Sequence, residues 1–196
     1  MATLWYGHFD SIAGDQRLLS AAQLAAWITA VMTSGIKNGG TNLQVTAGTG
    51  MSVNINVGMA NVNGYQMLIK PDTDGSCYNV PLPASNTQYP TIYRIVARLD
   101  TDIAVRTVTP QVLISTGVAN PAPPALTRED NGIWELSLAQ IKVQANATTI
   151  TNDNIIDERF RTDLCGIINS VFALDPSVWQ ARFDAFMDSI TASGDE

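Results

Sequence analysis

The side chains that carry most acid–base and covalent chemistry are scarce in this chain. It has one histidine, His8, and two cysteines, Cys77 and Cys165. A catalytic site needs a nucleophile, a base and a group that orients the base, or else a cluster of metal ligands. No GxSxG, HExxH or P-loop pattern is present. Gly48-Thr49-Gly50 lies between two strand-like stretches and so reads as a turn, not as a phosphate cradle opening a helix. Asp72-Thr73-Asp74-Gly75 has the opening residues of a calcium loop, but Tyr78 to Pro83 supplies no carboxylate at the spacing that calcium requires. Asp100 and Asp102 read as turn residues, and Asp157, Glu158, Arg159 and Arg161 as a surface charge network. Asn146-Ala147-Thr148 matches the glycosylation sequon by chance. The cysteines form no CxxC unit, which excludes a zinc ribbon or a thioredoxin-like site. Two buried free thiols are expected, with a disulfide left open. The residues therefore predict no catalytic group, no cofactor and no metal, and a protein that is not an enzyme.

The elements around these residues follow from periodicity. Ser20 to Ser34 reads as a helix. Ser20 and Gln23 form a capping-box pattern, and Gly35 is placed as a left-handed terminator. Leu24, Trp27, Ile28 and Val31 share one face, predicted to pack on the body. Ala22, Ala26, Ala30 and Thr33 lie on the other, predicted to be an assembly contact. Leu18 to Ile36 carries no charge. A helix lying on one domain usually keeps a polar outer face, so burial on both sides is expected. The segment is broken by Ser20, Gln23, Thr29, Thr33 and Gly35 and does not meet the requirement for a membrane span.

From Leu43 the period changes to two: Leu43, Val45 and Ala47 alternate with polar residues, as do Val53, Ile55 and Val57. Asn63-Gly64 marks a hairpin between Met59–Val62 and Tyr65–Ile69. Further strands are expected at Ile92–Leu99, Ala104–Ile114 and Gly132–Val143, and a short strand followed by a turn at Thr149–Asp157. Pro121, Pro123 and Pro124 stiffen the loop between the later strands. After Asp175-Pro176 the chain returns to helix, where Trp179, Phe183, Phe186 and Ile190 step as an a/d seam. Such a seam can fold back onto the domain or join copies of the chain, and a homotrimer is the expectation. The fold class is α+β: an N-terminal helix packed on an antiparallel β-sandwich-like body, then a short C-terminal amphipathic helix. The expected divisions are an arm and helix at 1–42, a β-rich domain at 43–166 and a helical oligomerisation segment at 167–196.

Composition narrows the partners. Eleven basic residues face eighteen acids, for a net charge of −7. Nucleic-acid affinity comes mainly from Lys and Arg on phosphates, and anionic membranes attract the same residues, so neither partner is expected. Charged residues are 15% of the chain and apolar ones 45%. The charged share is low against about 25% in soluble domains, which points to surface covered by other subunits or built from neutral polar residues. Met1 to Asp10 lacks the basic and apolar regions of a secretion signal.

Three stretches resemble the baseplate or tail-tip structural proteins of bacteriophages that infect Gram-positive bacteria. The first is Phe9-Asp10-Ser11-Ile12-Ala13-Gly14-Asp15-Gln16-Arg17 with the capped helix, then Asn42-Leu43-Gln44-Val45, Gly50-Met51-Ser52-Val53 and the hairpin Val62-Asn63-Gly64-Tyr65. The second is Tyr93-Arg94-Ile95-Val96-Ala97-Arg98-Leu99-Asp100, with Tyr93 where that family usually has Asp. The third runs from Pro123-Pro124-Ala125-Leu126 through Trp134-Glu135-Leu136-Ser137-Leu138-Ala139-Gln140-Ile141 to Ile155-Ile156-Asp157-Glu158-Arg159 and Asp163-Leu164-Cys165-Gly166. The motifs are loose and their order is the specific part. The resemblance implies a virion protein, assembled in the bacterial cytoplasm, that docks on other tail or baseplate proteins and acts as an adaptor for host attachment. The second reading is a small carbohydrate-binding module that contacts host-wall polysaccharide through exposed tyrosines, with Tyr65, Tyr78, Tyr89 and Tyr93 as candidates.

Overall fold

Alternation of apolar and polar residues builds most of this chain into antiparallel strands. The computed structural model describes residues 20–71, 77–171 and 180–187. In order, the elements are α1 (Ala21–Val31), β1 (Gly35–Ile36), β2 (Val45–Ala47), β3 (Ser52–Asn56), β4 (Gly58–Val62), β5 (Tyr65–Ile69), β6 (Cys77–Pro81), β7 (Thr91–Asp100), β8 (Thr107–Ile114), β9 (Ile133–Val143), a 3₁₀ turn (Asn152–Asn154) and β10 (Ile155–Asp157). A second helix, α2, covers residues 180–187. The strands form three sheets, ordered β1-β4-β5, β10-β9-β7-β8 and β2-β3-β6. Every pairing of named strands is antiparallel. The fold is therefore α+β, with antiparallel sheets as its bulk.

One apolar cluster joins the sheets. Ile36, Val53, Ile55, Ala60 and Val62 meet Tyr93, Ile95, Leu138 and Ile141, all fully buried. Ile36 lies before the boundary expected at 42/43, so its strand belongs to the same core as the body. Leu43 is also fully buried and takes a left-handed backbone angle (φ 52) to reach that position. Asn63 (φ 49) and Gly64 (φ 84) close the β4–β5 hairpin as the sequence predicts. Both need positive φ, which Asn and Gly adopt at least cost.

β8 is an edge strand. The Ser115 N–H donates to Ile92 O, which fixes the hydrogen-bonded pairs of this ladder at Arg94–Leu113, Val96–Gln111 and Arg98–Thr109. Pro110 falls between them. Its missing N–H faces outward, so no ladder bond is lost and the open edge is blunted against another chain.

Several expectations are corrected. α1 ends at Val31, not Ser34, and Gly35 is not its left-handed cap. Met32 is extended (φ −138, ψ 142), although its N–H still donates to Ile28 O. The reason is tertiary: Met32 bridges to Ser170, and the Thr33 N–H donates to Asn169 O at 2.9 Å. β8 begins at Thr107 and not at Ala104, because residues 102–106 turn, with Val105 and Arg106 N–H both donating to Asp102 O. In 149–157 the turn comes first and the strand second. β6 has no sequence signal, since three of its first four residues, Cys77, Tyr78 and Asn79, are exposed and only Val80 is buried.

The two cysteines are unpaired, and they differ: Cys165 is buried but Cys77 is exposed. Burial pushes the Cys165 thiol up to about 12, and the thiolate is the reactive form. A native-state thiol titration is expected to detect one fast-reacting group per chain and a second only after denaturation. Two fast thiols in the native protein would contradict this placement.

Candidate functional site

The helix faces separate less cleanly than expected, and most of α1 is exposed. Leu24 is 42% exposed and Trp27 53%, while Ala25 is the buried residue of α1. Ile28 and Val31 are half-buried. The cause lies in the hairpin turn beneath. A Cβ built on Gly64 would stand 2.4 Å from Ala25 O and 2.7 Å from Ala25 Cα. Backbone meets backbone there, and only small residues allow that approach. Ala25 therefore faces the hairpin, and Leu24 and Trp27 of this charge-free helix are left outward. Ala22, Ala26, Ala30 and Thr33, assigned to assembly, are all exposed. Ala22 and Ala26 also line a cleft beside the body, and Thr33 Oγ accepts from the Asn169 N–H at 2.9 Å. The Ser20–Gln23 capping box forms as predicted, with Gln23 N–H to Ser20 Oγ at 3.2 Å and Ser20 N–H to Gln23 Oε1 at 2.9 Å.

Of the expected C-terminal seam, Trp179 and Ile190 lie outside the described residues. Phe183 and Phe186 are 58% and 59% exposed, and every residue from 180 to 187 is exposed. The Val171 N–H donates to Val31 O at 3.0 Å, which places Val171 beside the end of α1.

The residues read as a surface charge network divide in two. Arg161 and Asp163 form an exposed pair at 2.8 Å, which contributes little in water. Glu158 and Arg159 are instead buried. Arg159 pairs with Asp157 at 2.6 Å and donates to the carbonyls of Gly40 and Asn42. Burial raises the Asp157 carboxyl, and the hydrogen bonds and charge of Arg159 outweigh that, leaving it below the usual carboxylate range. Glu158 accepts from Arg94 Nε at 3.0 Å and from the Ser137 hydroxyl at 2.5 Å. Arg94 also donates to Pro124 O. Next along the same sheet face, Arg98 stands across from Glu135 at 3.5 Å, and Glu135 accepts from the Thr127 N–H at 2.8 Å. β7 is consequently buried on both faces, one apolar and one ionic. A β-bulge in β9 opposite Ile95 and Val96 leaves Leu138 unpaired, and its carbonyl accepts the Glu158 N–H at 3.1 Å. The signal in the sequence was the shared parity of Arg94 and Arg98 on one strand with Glu135 and Ser137 on another.

Sequence reasoning missed the cleft. It measures about 960 Å³ and is walled by Ala21, Ala22, Ala25 and Ala26 on one side. The opposite wall comes from the β7–β8 turn, the loop before β9 and the β5 start, including Tyr65, Asp100, Arg106, Asp130 and Asn131. Thr101 holds the two loops together, its hydroxyl donating to Gly132 O at 3.1 Å. Of the candidate sugar-stacking tyrosines, Tyr65 lines this cleft and Tyr78 and Tyr89 are exposed. Tyr93 is fully buried, donates to Pro83 O at 2.8 Å, and has its hydroxyl pushed up by burial. It is removed from that set. Among the described residues, no three His, Cys, Asp or Glu side chains are grouped to hold a metal, and no helix is long and apolar enough to cross a membrane. No family model, curated protein or solved structure matches the chain.

Proposed function

We propose that this chain is a structural protein of a phage tail tip or baseplate, without catalytic activity, that docks on neighbouring tail proteins as an adaptor for host attachment. The ordered motifs described above suggest the particle. The observation that carries docking is the outward pair Leu24 and Trp27 on a helix with no charge, for which large exposed apolar residues mark contact surfaces. In this reading α1 lies on a β-sandwich-like body through Ala25 and offers Leu24 and Trp27 to the tail core. α2 adds a second contact: Phe183 and Phe186 are exposed and suit packing among three copies.

The test is Leu24→Glu. Leu24 is already 42% exposed, so the melting temperature is expected to stay within about 2 °C of wild type, as for surface changes of ~0.5 kcal/mol. Incorporation into particles is expected to fall at least tenfold. Wild-type incorporation of a folded variant would remove the docking role from α1. Light scattering of the purified protein tests the homotrimer, which a monomer at high micromolar concentration would refute.

A further inference from the structure

Among the described residues, the six non-glycine residues in left-handed backbone conformation sort by what their side chains do. Four are asparagines, Asn38, Asn63, Asn131 and Asn146, the residue that visits this region most cheaply after glycine. The fifth, Leu43, is completely buried, and the core uses its side chain. The sixth is Arg106, with φ 47. It is exposed, and its guanidinium makes no hydrogen bond or ion pair among the described residues. Asn or Gly would close the β7–β8 turn with less strain. Backbone strain retained by a side chain that does nothing for the fold is a mark of a functional position.

Arg106 lines the 960 Å³ cleft, a volume in the usual range of small-molecule sites, about 300–1,000 Å³. A guanidinium offers a planar fork that matches a carboxylate or phosphate. Tyr65, Asp130 and Asn131 also line the cleft, residue types that stack on a sugar ring and hydrogen-bond to hydroxyls. Among the described residues, Arg106 is the one cation in a lining that also holds Asp100, Glu129 and Asp130, so one anionic group can pair with it and a second would meet carboxylates. We propose that this cleft binds a sugar unit bearing one carboxylate or phosphate, with Arg106 pairing to the anion and Tyr65, Asp130 and Asn131 contacting the ring. The site is separate from the outward face of α1 and does not depend on the tail reading.

Calorimetric titration of the full chain with glucuronate, glucose 1-phosphate, glucose and inorganic phosphate tests it. At least one of the two anionic sugars is expected to bind about tenfold or more tightly than glucose and than inorganic phosphate, since a hydrogen bond to a charged group contributes about that factor. The stronger of the two identifies the anion. Arg106→Gly is expected to weaken that binding about tenfold while raising the melting temperature by about 2–4 °C, because glycine relieves the strained turn. Equal binding of glucose, equal binding of inorganic phosphate, no binding of either anionic sugar, or unchanged binding by Arg106→Gly each overturns the proposal. A variant that melts at or below wild type assigns Arg106 to the fold and overturns it as well.

Discussion

Glu158→Leu is expected to lower the stability of this protein by about 3–5 kcal/mol, the usual cost of breaking a buried ion pair by removing one partner. In a chain of this size that corresponds to a fall in melting temperature of roughly 6–20 °C. The loss does not come from the attraction alone. Glu158 is 1% exposed and Arg94 6%, so the guanidinium left behind has little water to replace its partner. The Ser137 hydroxyl, which donates to the same carboxylate, loses its acceptor too. Arg94→Met combined with Glu158→Leu removes both charges and is expected to recover much of the loss, because a well-packed apolar pair can equal a buried ionic one. Thermal unfolding of the two variants followed by circular dichroism checks this. A Glu158→Leu protein melting within about 2 °C of wild type would show that the pair is hydrated and the ionic face of β7 open. The segment after β10 depends on this pair. Glu158 joins it to β7, while Ser137 N–H to Leu164 O and Arg128 to Leu164 O join it to β9 and to the loop before it.

Gly64→Val is expected to detach α1 while sparing the sheets. Two costs coincide at this residue. Its φ of 84 is penalised by about 1–2 kcal/mol for any side chain with a Cβ. The new Cβ would also overlap Ala25 O and Cα, at 2.4 and 2.7 Å. These are backbone atoms of a hydrogen-bonded helix and cannot swing aside, so the whole helix must move. Amide hydrogen exchange separates local from global effects. Protection over residues 21–31 is expected to fall at least tenfold, while the amides of β7 and β9 retain their wild-type rates. Wild-type protection in α1 would mean that the hairpin yields instead of the helix. Loss of protection in β7 and β9 as well would mean that α1 is part of the global folding unit. Ala25→Gly gives the converse test, since it leaves the close approach intact and weakens the helix by intrinsic propensity, about 1 kcal/mol, together with the loss of one buried methyl.

Local rules determined much of this fold without the tertiary structure. The capping box at Ser20 and Gln23 and the Asn63-Gly64 hairpin are short-range interactions, complete within four residues, and both form where the sequence places them. The strands β3 and β5 follow apolar alternation, because a half-buried strand has no other way to keep one face from water. Rules of this kind state which side of an element is apolar, but not which side has room beside it. Leu24 and Trp27 were assigned to the body as the apolar face of α1. Only the approach of Ala25 to Gly64 shows that the available gap admits alanine and no more. Glu158 and Arg159 looked exposed because charges usually are. Their partners Arg94, Ser137, Gly40 and Asn42 are distant in the chain, so their burial could not be read from local spacing. The cleft has the same origin: Ala22, Tyr65, Arg106 and Asn131 come from four separate segments, and only long-range pairing sets them around one space.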